Sequence, residues 1–508
     1  ADPTLLPDLN RATAILRDAA SAGRTICVFG DYDVDGLTST AMLTRVLRRL
    51  GATVNPVVPH RMDDGYGLTI PVAERIADTA PDIVVTVDCG SSSPEELELL
   101  LARGVQPIVV DHHYYSGELP AAVPFVSPRR PDNQYPCEHL AGVGVAYMLV
   151  RHLLGDDDAE MYLPYVALGT VCDVVEMRGE NRILVAKGIS KLRRWRLPGI
   201  MALCAAAGVD QGSVTTWHIG HLLGPRLNAA GRIDTPVKAL DLLLADDATT
   251  ATPLALELTR LNELRQAETR RMQDEAEASI CSNGWLEAHP SLVLASESWS
   301  IGIAGLVAGR LADTYARPVI VLEQGTHTSR GSARSGGTID VVEAIGASAS
   351  ILERFGGHRD AAGLSLPTDQ IAELREQFAA TVFDPCGGRF PARTVQIDAV
   401  ASLDELSLDT VDLLARLEPF GRGNEMPNLL IPAVGHRYAK TSKDGRHLLF
   451  TATGGRGRGC SAVLFGAGQR LSDVQSATRL DLVASLQRDT WEGRTRLKLH
   501  LSDFRVSP

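Results

Sequence analysis

Four clusters of acidic and imidazole side chains each follow a short apolar run, and their residue types are those of a metal site. The clusters are Asp31, Asp33 and Asp35; Asp88; Asp111 with His112 and His113; and Asp173. The apolar runs before them, such as Ile83 to Val87, resemble buried strands of a parallel sheet, whose carboxyl ends meet at one edge. Carboxylates mixed with imidazole suit manganese or another transition metal better than calcium. Two cations bridged by one carboxylate would polarise a phosphoryl group and supply a hydroxide nucleophile, so the pattern predicts a metal-dependent enzyme.

Simpler interpretations of these clusters fit less well. Residues 31–35 match the start of a calcium-binding EF-hand loop, but the twelfth position is Met42, where that loop needs a bidentate glutamate. One aspartate could cap a helix that begins near Thr38, yet three alternating acids repel one another unless a cation lies among them. For Asp111-His112-His113 the simple interpretation is a loop with an exposed imidazole pair. The adjacent acid and the other three clusters favour the metal site instead.

The elements that must position these clusters predict a parallel α/β domain up to about residue 195. Short apolar runs alternate there with helical segments such as Thr38 to Leu50 and Pro94 to Leu101, which is typical of strands joined by crossover helices. From about residue 197 to 285 the strand signal disappears. Leucines recur there at helical spacing between Leu254 and Leu264, which predicts a helical connector that contains one long helix.

Strands return after the connector. Residues 291–295 and 318–322 have the pattern of strands on either side of a helical segment, 304–314, which predicts a second, smaller α/β domain. A linker is expected at Asp384 to Gly388. Beyond it, short apolar runs between glycine-rich turns favour a small five-stranded β-barrel of the oligonucleotide-binding (OB) type. The predicted domains are 1–195, 196–285, 286–387 and 388–508.

Composition indicates an ordinary globular protein of several domains. The 508 residues are too many for one core, and no apolar run approaches the ~20 residues of a membrane span. Eight cysteines without a Cys-x-x-Cys pair argue against zinc ribbons and a disulfide framework, and they fit a reducing cytosol. The opening residues are unlike a signal peptide, so a cytoplasmic protein is expected, and Ala1 in place of methionine suggests a trimmed product. The net charge of −12 argues mildly against a nucleic-acid binder, but bound cations would neutralise part of it.

Longer motifs surround the four clusters and recur in a defined order along the chain. The clusters themselves lie in Gly30 to Gly36, Val87 to Gly90, Asp111 to His113 and Cys172 to Val174. Later motifs are Gly224 to Arg232, Gly331 to Ser335, Gly356 to Gly363 and Leu417 to Asn424. In this series the chain resembles the DHH phosphoesterase superfamily and, within it, the RecJ family of single-strand-specific 5′ exonucleases. One departure is Trp299-Ser300-Ile301-Gly302, where the family often has Trp-His-Pro-Gly, so any role of that histidine is absent.

The resemblance implies a metal centre with a defined ligand set. The implied ligands are Asp31, Asp33, Asp35, Asp88, His112 and Asp173. Asp33 and Asp88 are expected to be the shared or central ligands, and Asp111 to orient the imidazole pair without contacting the metal. His113 would contact the scissile phosphate. The implied catalytic residues are therefore Asp33, Asp35, Asp88, His112, His113 and Asp173.

The resemblance also implies residues that hold the DNA strand. They are Arg61, Tyr66, Arg232, Ser332, Arg334, Gly357 and His358. The first two lie in a loop similar to the family's strand-entry loop, where a guanidinium suits a phosphate and a ring offers a stacking surface. Ser332 and Arg334 would form a pocket for the 5′-phosphate, and Arg232 would contact the backbone. Gly356-Gly357-His358 would let main-chain N–H groups approach a phosphate; the alternative is a helix stop followed by a turn.

The function implied is a metal-dependent 5′→3′ exonuclease that degrades single-stranded DNA to mononucleotides in repair and recombination. The expected cofactor is a pair of Mn²⁺ ions, with Mg²⁺ as the alternative. The expected partners are single-stranded DNA with a free 5′ end, a single-strand-binding protein and a DNA helicase; a monomer would suffice, and no membrane is involved. One alternative is a DHH phosphoesterase that acts on short oligonucleotides or cyclic dinucleotides, which would not need the connector and the barrel. The other is an inactive single-strand-binding scaffold, which would be expected to have lost some of the acids.

Overall fold

The computed structural model divides the chain into two compact units, Ala1–Ala392 and Arg393–Pro508. The residues it describes are 1–61, 63–115, 117–337, 339–386, 394–455, 459–491 and 494–507. Within these ranges no helix is both long and apolar enough to span a bilayer. The predicted boundaries at 195/196 and 285/286 stay predictions, and the one at 387/388 lies outside the described residues.

The first part of unit one is a five-stranded parallel sheet covered by helices. Its strands are β1 (Thr25–Gly30), β2 (Thr53–Val57), β3 (Ile83–Val87), β4 (Gln106–Val110) and β5 (Phe125–Val126), in the order β2-β1-β3-β4-β5. The helices are α1 (Leu9–Ser21), α2 (Val34–Arg49), α3 (Ile70–Asp78), α4 (Pro94–Ala102), α5 (Gly142–Leu154), α6 (Asp156–Ala159), α7 (Leu163–Cys172) and α8 (Gly179–Leu192). The central strands are mostly apolar because one core cluster packs on each face of the sheet.

The connector is wholly helical, as predicted, and its long helix is α13. Its helices are α9 (Pro198–Ala206), α10 (Thr216–His218), a π-helical turn (Ile219–Leu223), α11 (Gly224–Ile233), α12 (Val237–Leu244), α13 (Ala248–Ser282) and α14 (Trp285–Ala288). The 35 residues of α13 begin in the core of the first domain, at Ala251 and Leu258, and end in the core of the second, at Met272 and Ile280. The helix therefore joins the two cores covalently.

The second α/β domain is a mixed sheet with the order β6-β7-β8-β10-β9. Its elements are β6 (Leu292–Ser296), α15 (Ile301–Tyr315), β7 (Val319–Glu323), β8 (Thr328–Arg334), α16 (Val341–Gly346), β9 (Arg354–His358), β10 (Ala361–Pro367) and α17 (Ile371–Cys386). Only β6 and β7 run parallel, joined by α15 as predicted. Because α17 continues to Cys386, the linker does not begin at Asp384 as predicted.

Unit two is the predicted OB-type barrel. Its elements are β11 (Ala399–Val400), α18 (Leu408–Ala415), β12 (Leu429–Thr441), β13 (Leu448–Thr453), β14 (Gly459–Leu464), α19 (Leu471–Ser476), β15 (Leu480–Trp491) and β16 (Arg494–Val506). The strand order β12-β13-β14-β16-β15 closes into a ring because β12 also pairs with β15. Five strands therefore form a barrel around one apolar core, and the two-residue β11 is added at its edge.

Three local predictions differ from the structure. Helix α2 begins at Val34, four residues before the predicted start at Thr38. Asp173 follows helix α7 and not a strand; a short, wholly apolar run cannot be assigned by periodicity, and this one is a helix buried on all sides. Gly356-Gly357-His358 forms the exposed edge strand β9, so the helix-stop alternative is wrong.

Candidate metal centre and strand-binding residues

Three of the acid clusters meet because β1, β3 and β4 are adjacent and in register. Val87 of β3 lies opposite Gly30 of β1 and Val110 of β4. The next residue of each strand is an acid, so Asp31, Asp88 and Asp111 leave the sheet side by side. The fourth cluster does not come from a strand of this sheet: Asp173 is the C-terminal cap of the buried helix α7.

Asp33 and Asp35 owe their positions to the start of α2. Asp33 is the N-cap, and its Oδ1 accepts hydrogen bonds from the backbone N–H groups of Asp35 (2.9 Å) and Gly36 (3.2 Å). A Cβ at Gly36 would collide with the backbone of Asp31. The glycine of the Asp-x-Asp-x-Asp-Gly motif therefore lets the strand turn directly into the helix, which keeps all three acids at one point. The capping alternative is thus partly right, but it accounts for Asp33 alone.

Asp35 also anchors a second helix at the centre. Its two carboxylate oxygens accept the N–H groups of Gly142 (2.7 Å) and Val143 (2.8 Å) at the N-terminus of α5, where a helix favours negative charge. A Cβ at Gly142 would lie 2.5 Å from Oδ1 of Asp88. Gly142, which the sequence pattern did not single out, therefore leaves room for the carboxylates.

The structure brings the six predicted ligands together. Three groups each have ligand atoms within 4.8 Å of one another: Asp31, Asp33 and Asp88; Asp35, His112 and Asp173; and Asp88, His112 and His113. Within the described part of the chain, four ligand atoms at this point are buried and make no hydrogen bond, although His112 Nε2 lies 3.1 Å from Asp88 Oδ1: Asp31 Oδ1, Asp88 Oδ1, His112 Nε2 and Asp173 Oδ2. Buried polar atoms without a partner are costly. Their common position fits divalent cations, which would take the place of the missing partners.

The carboxylates repel one another in the absence of a cation. Burial, followed by the charges of neighbouring aspartates, raises the pKa values of Asp31, Asp35 and Asp88 well above the ordinary value. Burial and then Asp33 raise the pKa of Asp173 to about 7. These shifts follow from burying like charges together. A bound divalent cation would reverse them, because it is the largest charge in such a site.

The two histidines differ sharply in charge. Burial, together with the charge of His113, lowers the pKa of His112 to about 3, so its ring is neutral and can offer Nε2 to a metal. Burial also lowers the pKa of His113, but the hydrogen bond from its Nδ1 to Asp111 Oδ1 (2.8 Å) outweighs it and raises the pKa to about 9. Burial raises the pKa of Asp111, yet the bond from His113 holds it below the ordinary value. His113 is therefore an imidazolium at neutral pH, with Asp111 as its counter-ion.

Three arginines of the predicted strand-binding set act on one another through their charges, and the charge of Arg61 also acts on Asp31. Arg61 covers the ring of Tyr32 (5.0 Å to the ring centre), and Arg334 donates to the Ser332 hydroxyl (2.7 Å). Arg232 is partly buried and donates to the carbonyl of Gly302 (3.1 Å). Burial, and then the charge of Arg61, lowers the pKa of Arg232 to about 9. In the part of the chain that the structure describes, no carboxylate lies within 4.0 Å of these three guanidinium groups.

The remaining strand-binding candidates fall into two places. Tyr66 lies at the metal centre, where its hydroxyl is 3.1 Å from Nε2 of His113. Gly357 and His358 lie on β9, and Ala361 of β10 pairs with both His358 and Arg334. Residues directly opposite in a sheet share a face, so His358 and Arg334 point to the same side, two strands apart. Gly357 has a φ of 147°, which only glycine adopts readily.

Sequence reasoning missed Tyr32 and Arg265 near the arginines. The charge of Arg265 contributes to the lowered pKa of Arg232, and its Nε is buried without a hydrogen-bond partner. Arg265 belongs to α13, whose charged face has the pattern of a solvated helix, so no local signal marks it. Tyr32 lies inside the first acid motif, and the interpretation of that motif considered only its aspartates.

Comparison with known proteins supports the resemblance along the whole chain. Residues 25–170 match the DHH family, N-terminal domain; residues 289–384 match the DHHA1 domain; and residues 397–503 match the RecJ OB domain.

Relatives of known name are similar over most of the chain. The single-stranded-DNA-specific exonuclease RecJ of Bacillus subtilis is 31% identical over 509 residues, which cover 100% of this chain and 64% of the relative. RecJ of Dickeya dadantii is 35% identical over 84% of this chain and 78% of its own length. The crystal structure of RecJ from Thermus thermophilus in complex with Mn²⁺ is similar with a TM-score of 0.83 and 31% identity, over 98% of this chain and 72% of that one. The Thermus protein has also been crystallised with Mg²⁺.

Proposed function

The chain belongs to the RecJ family of DHH phosphoesterases, and on that premise we propose that it is a metal-dependent exonuclease that digests single-stranded DNA from the 5′ end. The observation that carries the proposal is the set of ligand atoms that are buried without a hydrogen-bond partner among the described residues, together with three arginines that have no described carboxylate within 4.0 Å, one of which, Arg61, acts on Asp31. Two divalent cations would neutralise the carboxylates, and a bound phosphodiester would neutralise the arginines. Relatives of this family are named as single-stranded-DNA-specific exonucleases.

The geometry supports a two-ion centre. Asp31, Asp33 and Asp88 would hold one ion, and Asp35, His112 and Asp173 the other. Asp88 would be available to both ions, because it groups with Asp31 and with His112; a shared role for Asp33 remains a prediction. Divalent cations bound there supply Lewis-acid polarisation of the phosphodiester and a nucleophile at neutral pH. Ligands of this kind accept Mn²⁺ and Mg²⁺, and we favour Mn²⁺ because an imidazole is among them.

The residues of the chain supply positioning and charge around that centre. Nε2 of His113, which lies 3.1 Å from the Tyr66 hydroxyl, would exchange that contact for a hydrogen bond to a non-bridging oxygen of the scissile phosphate and stabilise charge that develops there. Asp111 would keep it protonated and oriented. Asp35 would hold α5 against the centre through the N–H groups of Gly142 and Val143, which excludes water from that side.

The arginines support an exonuclease over a small-substrate enzyme. Arg334 and Ser332 would receive the terminal 5′-phosphate, and His358 would add a donor from the same face of the sheet. Arg232, expected from the sequence to contact the strand backbone, would join this pocket instead, because the charges of Arg232 and Arg334 interact. A pocket that binds the 5′ end of the strand restricts cleavage to that end. It would therefore make the enzyme an exonuclease and also set its direction as 5′→3′. The OB unit would bind the strand further toward its 3′ end. In the cell we propose a role in DNA repair and recombination in the cytoplasm, with a single-strand-binding protein and a helicase as partners of a monomer.

The test is digestion of a 5′-phosphorylated, 3′-labelled single strand with Mn²⁺, beside 5′-blocked and duplex controls. Asp33→Asn is a better inactive variant than Asp33→Ala, because asparagine keeps the N-cap of α2. Stepwise shortening from the 5′ end that the duplex blocks and Asp33→Asn abolishes is the expected result. Cleavage of dinucleotides without shortening of the long strand would instead favour the small-substrate phosphoesterase. Tight binding without turnover would favour the inactive scaffold.

A further inference from the structure

Tyr114 is an exposed aromatic side chain in the loop that carries the candidate ligand His112. It is the second residue after His112 and is 77% exposed. Two residues of chain span at most about 7 Å, so the Tyr114 backbone lies close to that of His112, and the charge of Arg129, which contacts the Tyr114 ring, reaches the His112 imidazole. Its neighbour Tyr115 packs on Phe125 in the apolar layer, so the loop buries one tyrosine ring and leaves the other exposed.

Arg129 holds this ring in place from one side. Its guanidinium carbon lies 4.3 Å from the centre of the Tyr114 ring, and Nη1 donates to the Tyr114 hydroxyl (3.1 Å). The same guanidinium donates through Nε to the carbonyl of His112 (3.3 Å) and lies 3.3 Å from Nδ1 of His139 through Nη2. One arginine thus joins the ring to the backbone of the ligand loop. The ring has a defined orientation although most of it faces solvent.

This arrangement has the properties of a stacking platform. A rigid ring with one face covered by a cation and the other face open can stack a nucleobase, and such stacking is tolerant of sequence because every base has a π-face. Arg129 also adds positive charge beside the path of a polyanion. By contrast, a ring that only closed the core would be buried, and a ring that only shielded Arg129 would need no fixed hydroxyl contact.

We propose that Tyr114, positioned by Arg129, stacks one base of the single strand close to the scissile phosphate. The proposal rests on the proposed function, since it assigns a further substrate contact to the same site. Tyr114 touches the substrate as a binding residue, and Arg129 acts through it as a positioning residue. Such a contact lies outside the bonds that change, so it would be equally strong in the ground state and in the transition state.

The kinetic test compares Tyr114→Ala and Tyr114→Phe with the wild-type full chain loaded with Mn²⁺. We expect Tyr114→Ala to raise KM for a short single strand about five- to one-hundred-fold, the range expected for loss of one stacked base, with kcat nearly unchanged. Tyr114→Phe keeps the ring, so its KM should stay within about threefold of the wild-type value. Phe383→Ala is the matched control: Phe383 is an aromatic of α17 with 54% exposure, outside the proposed site.

A substrate series separates stacking from a structural role. A single abasic residue is moved along the first positions from the 5′ end, which removes one base at a time. In the wild type we expect one position to raise KM by the same factor as Tyr114→Ala. In Tyr114→Ala, and in Arg129→Met, that position should no longer matter, because the ring or its orientation is already lost.

Two results would overturn the proposal while leaving the exonuclease itself intact. The first is an increase in KM on abasic substitution that has the same size in the wild type and in Tyr114→Ala at every position. The second is a loss of kcat in Tyr114→Ala without a change in KM, which would mean that the side chain supports the ligand loop alone. Failure of the wild type to shorten any single strand would instead overturn the proposed function.

Discussion

Replacing Asp173 by asparagine should stabilise the metal-free protein and weaken the stabilisation that divalent metal provides. Oδ2 of Asp173 is buried without a hydrogen-bond partner, and the side chain as a whole is 20% exposed. Burial and then the charge of Asp33 raise its pKa from 3.8 to about 7. Asparagine keeps the size and removes the charge, so the metal-free centre loses one repulsive partner while a bound cation loses one ligand.

The sign and size follow from linkage. Because the pKa in the folded state lies above that in the unfolded state, the protonated carboxyl stabilises the fold at low pH. That contribution is lost as the pH rises from about 4 to about 7. At about 1.4 kcal/mol for each pKa unit the loss is at most about 4 kcal/mol. Shared protonation with neighbouring acids and partial exposure reduce the expected value to about 1–3 kcal/mol.

The assay is thermal unfolding of the full chain in EDTA and in saturating MnCl2, at about pH 5 and about pH 8. In EDTA at the higher pH, Asp173→Asn should unfold a few degrees above the wild type, and the gap should narrow at the lower pH. In MnCl2 the order should reverse. Asp157→Asn, an exposed carboxylate of α6, is the matched control. If Asp173→Asn were less stable than the wild type in EDTA at both pH values, repulsion among these carboxylates would not be what destabilises the metal-free protein, and the reasoning would be refuted.

Three further predictions concern single positions. Asp33→Asn and Asp33→Ala should both abolish digestion, but only the alanine variant should lose about 1 kcal/mol in metal-free chemical unfolding, because it lacks the N-cap; equal losses would contradict the capping role. Arg232→Gln should raise KM for a 5′-phosphorylated strand at least about tenfold, the effect of one charged hydrogen bond, and should affect a 5′-hydroxyl strand less; an equal effect on both would place Arg232 elsewhere on the backbone. Gly357→Ala should cost about 1–3 kcal/mol, because its φ of 147° is strained for alanine and a Cβ would collide with the backbone of β10. Gly356→Ala, with nothing within 4 Å of its Cβ, should be neutral in the same unfolding experiment.

Much of the architecture could be predicted from local patterns. The strands before Asp31, Asp88 and Asp111, the long helix α13, the second sheet and the closed barrel were all predicted and are confirmed. These elements have strong local signals, namely continuous apolar runs, a helical period or turn residues. The helix that ends at Asp173 was assigned wrongly for the opposite reason. It is apolar on every side, so no periodicity distinguishes it from a buried strand.

The sequence by itself determined which residue types can bind metal, because the order of motifs identifies the family and each motif supplies its own acids or histidines. The strand ends predicted from the sequence placed all four acid clusters at one sheet edge; three of them do lie there, and Asp173, which follows a helix, does not. Only the tertiary structure decided their electrostatic state. The pKa of His112 is lowered and that of His113 is raised although they are neighbours in sequence, because burial acts on His112 while the hydrogen bond to Asp111 outweighs burial at His113. Likewise Tyr114 and Arg129 are fifteen residues apart along the chain, and such a contact is set by how loops fold back, which no local pattern encodes.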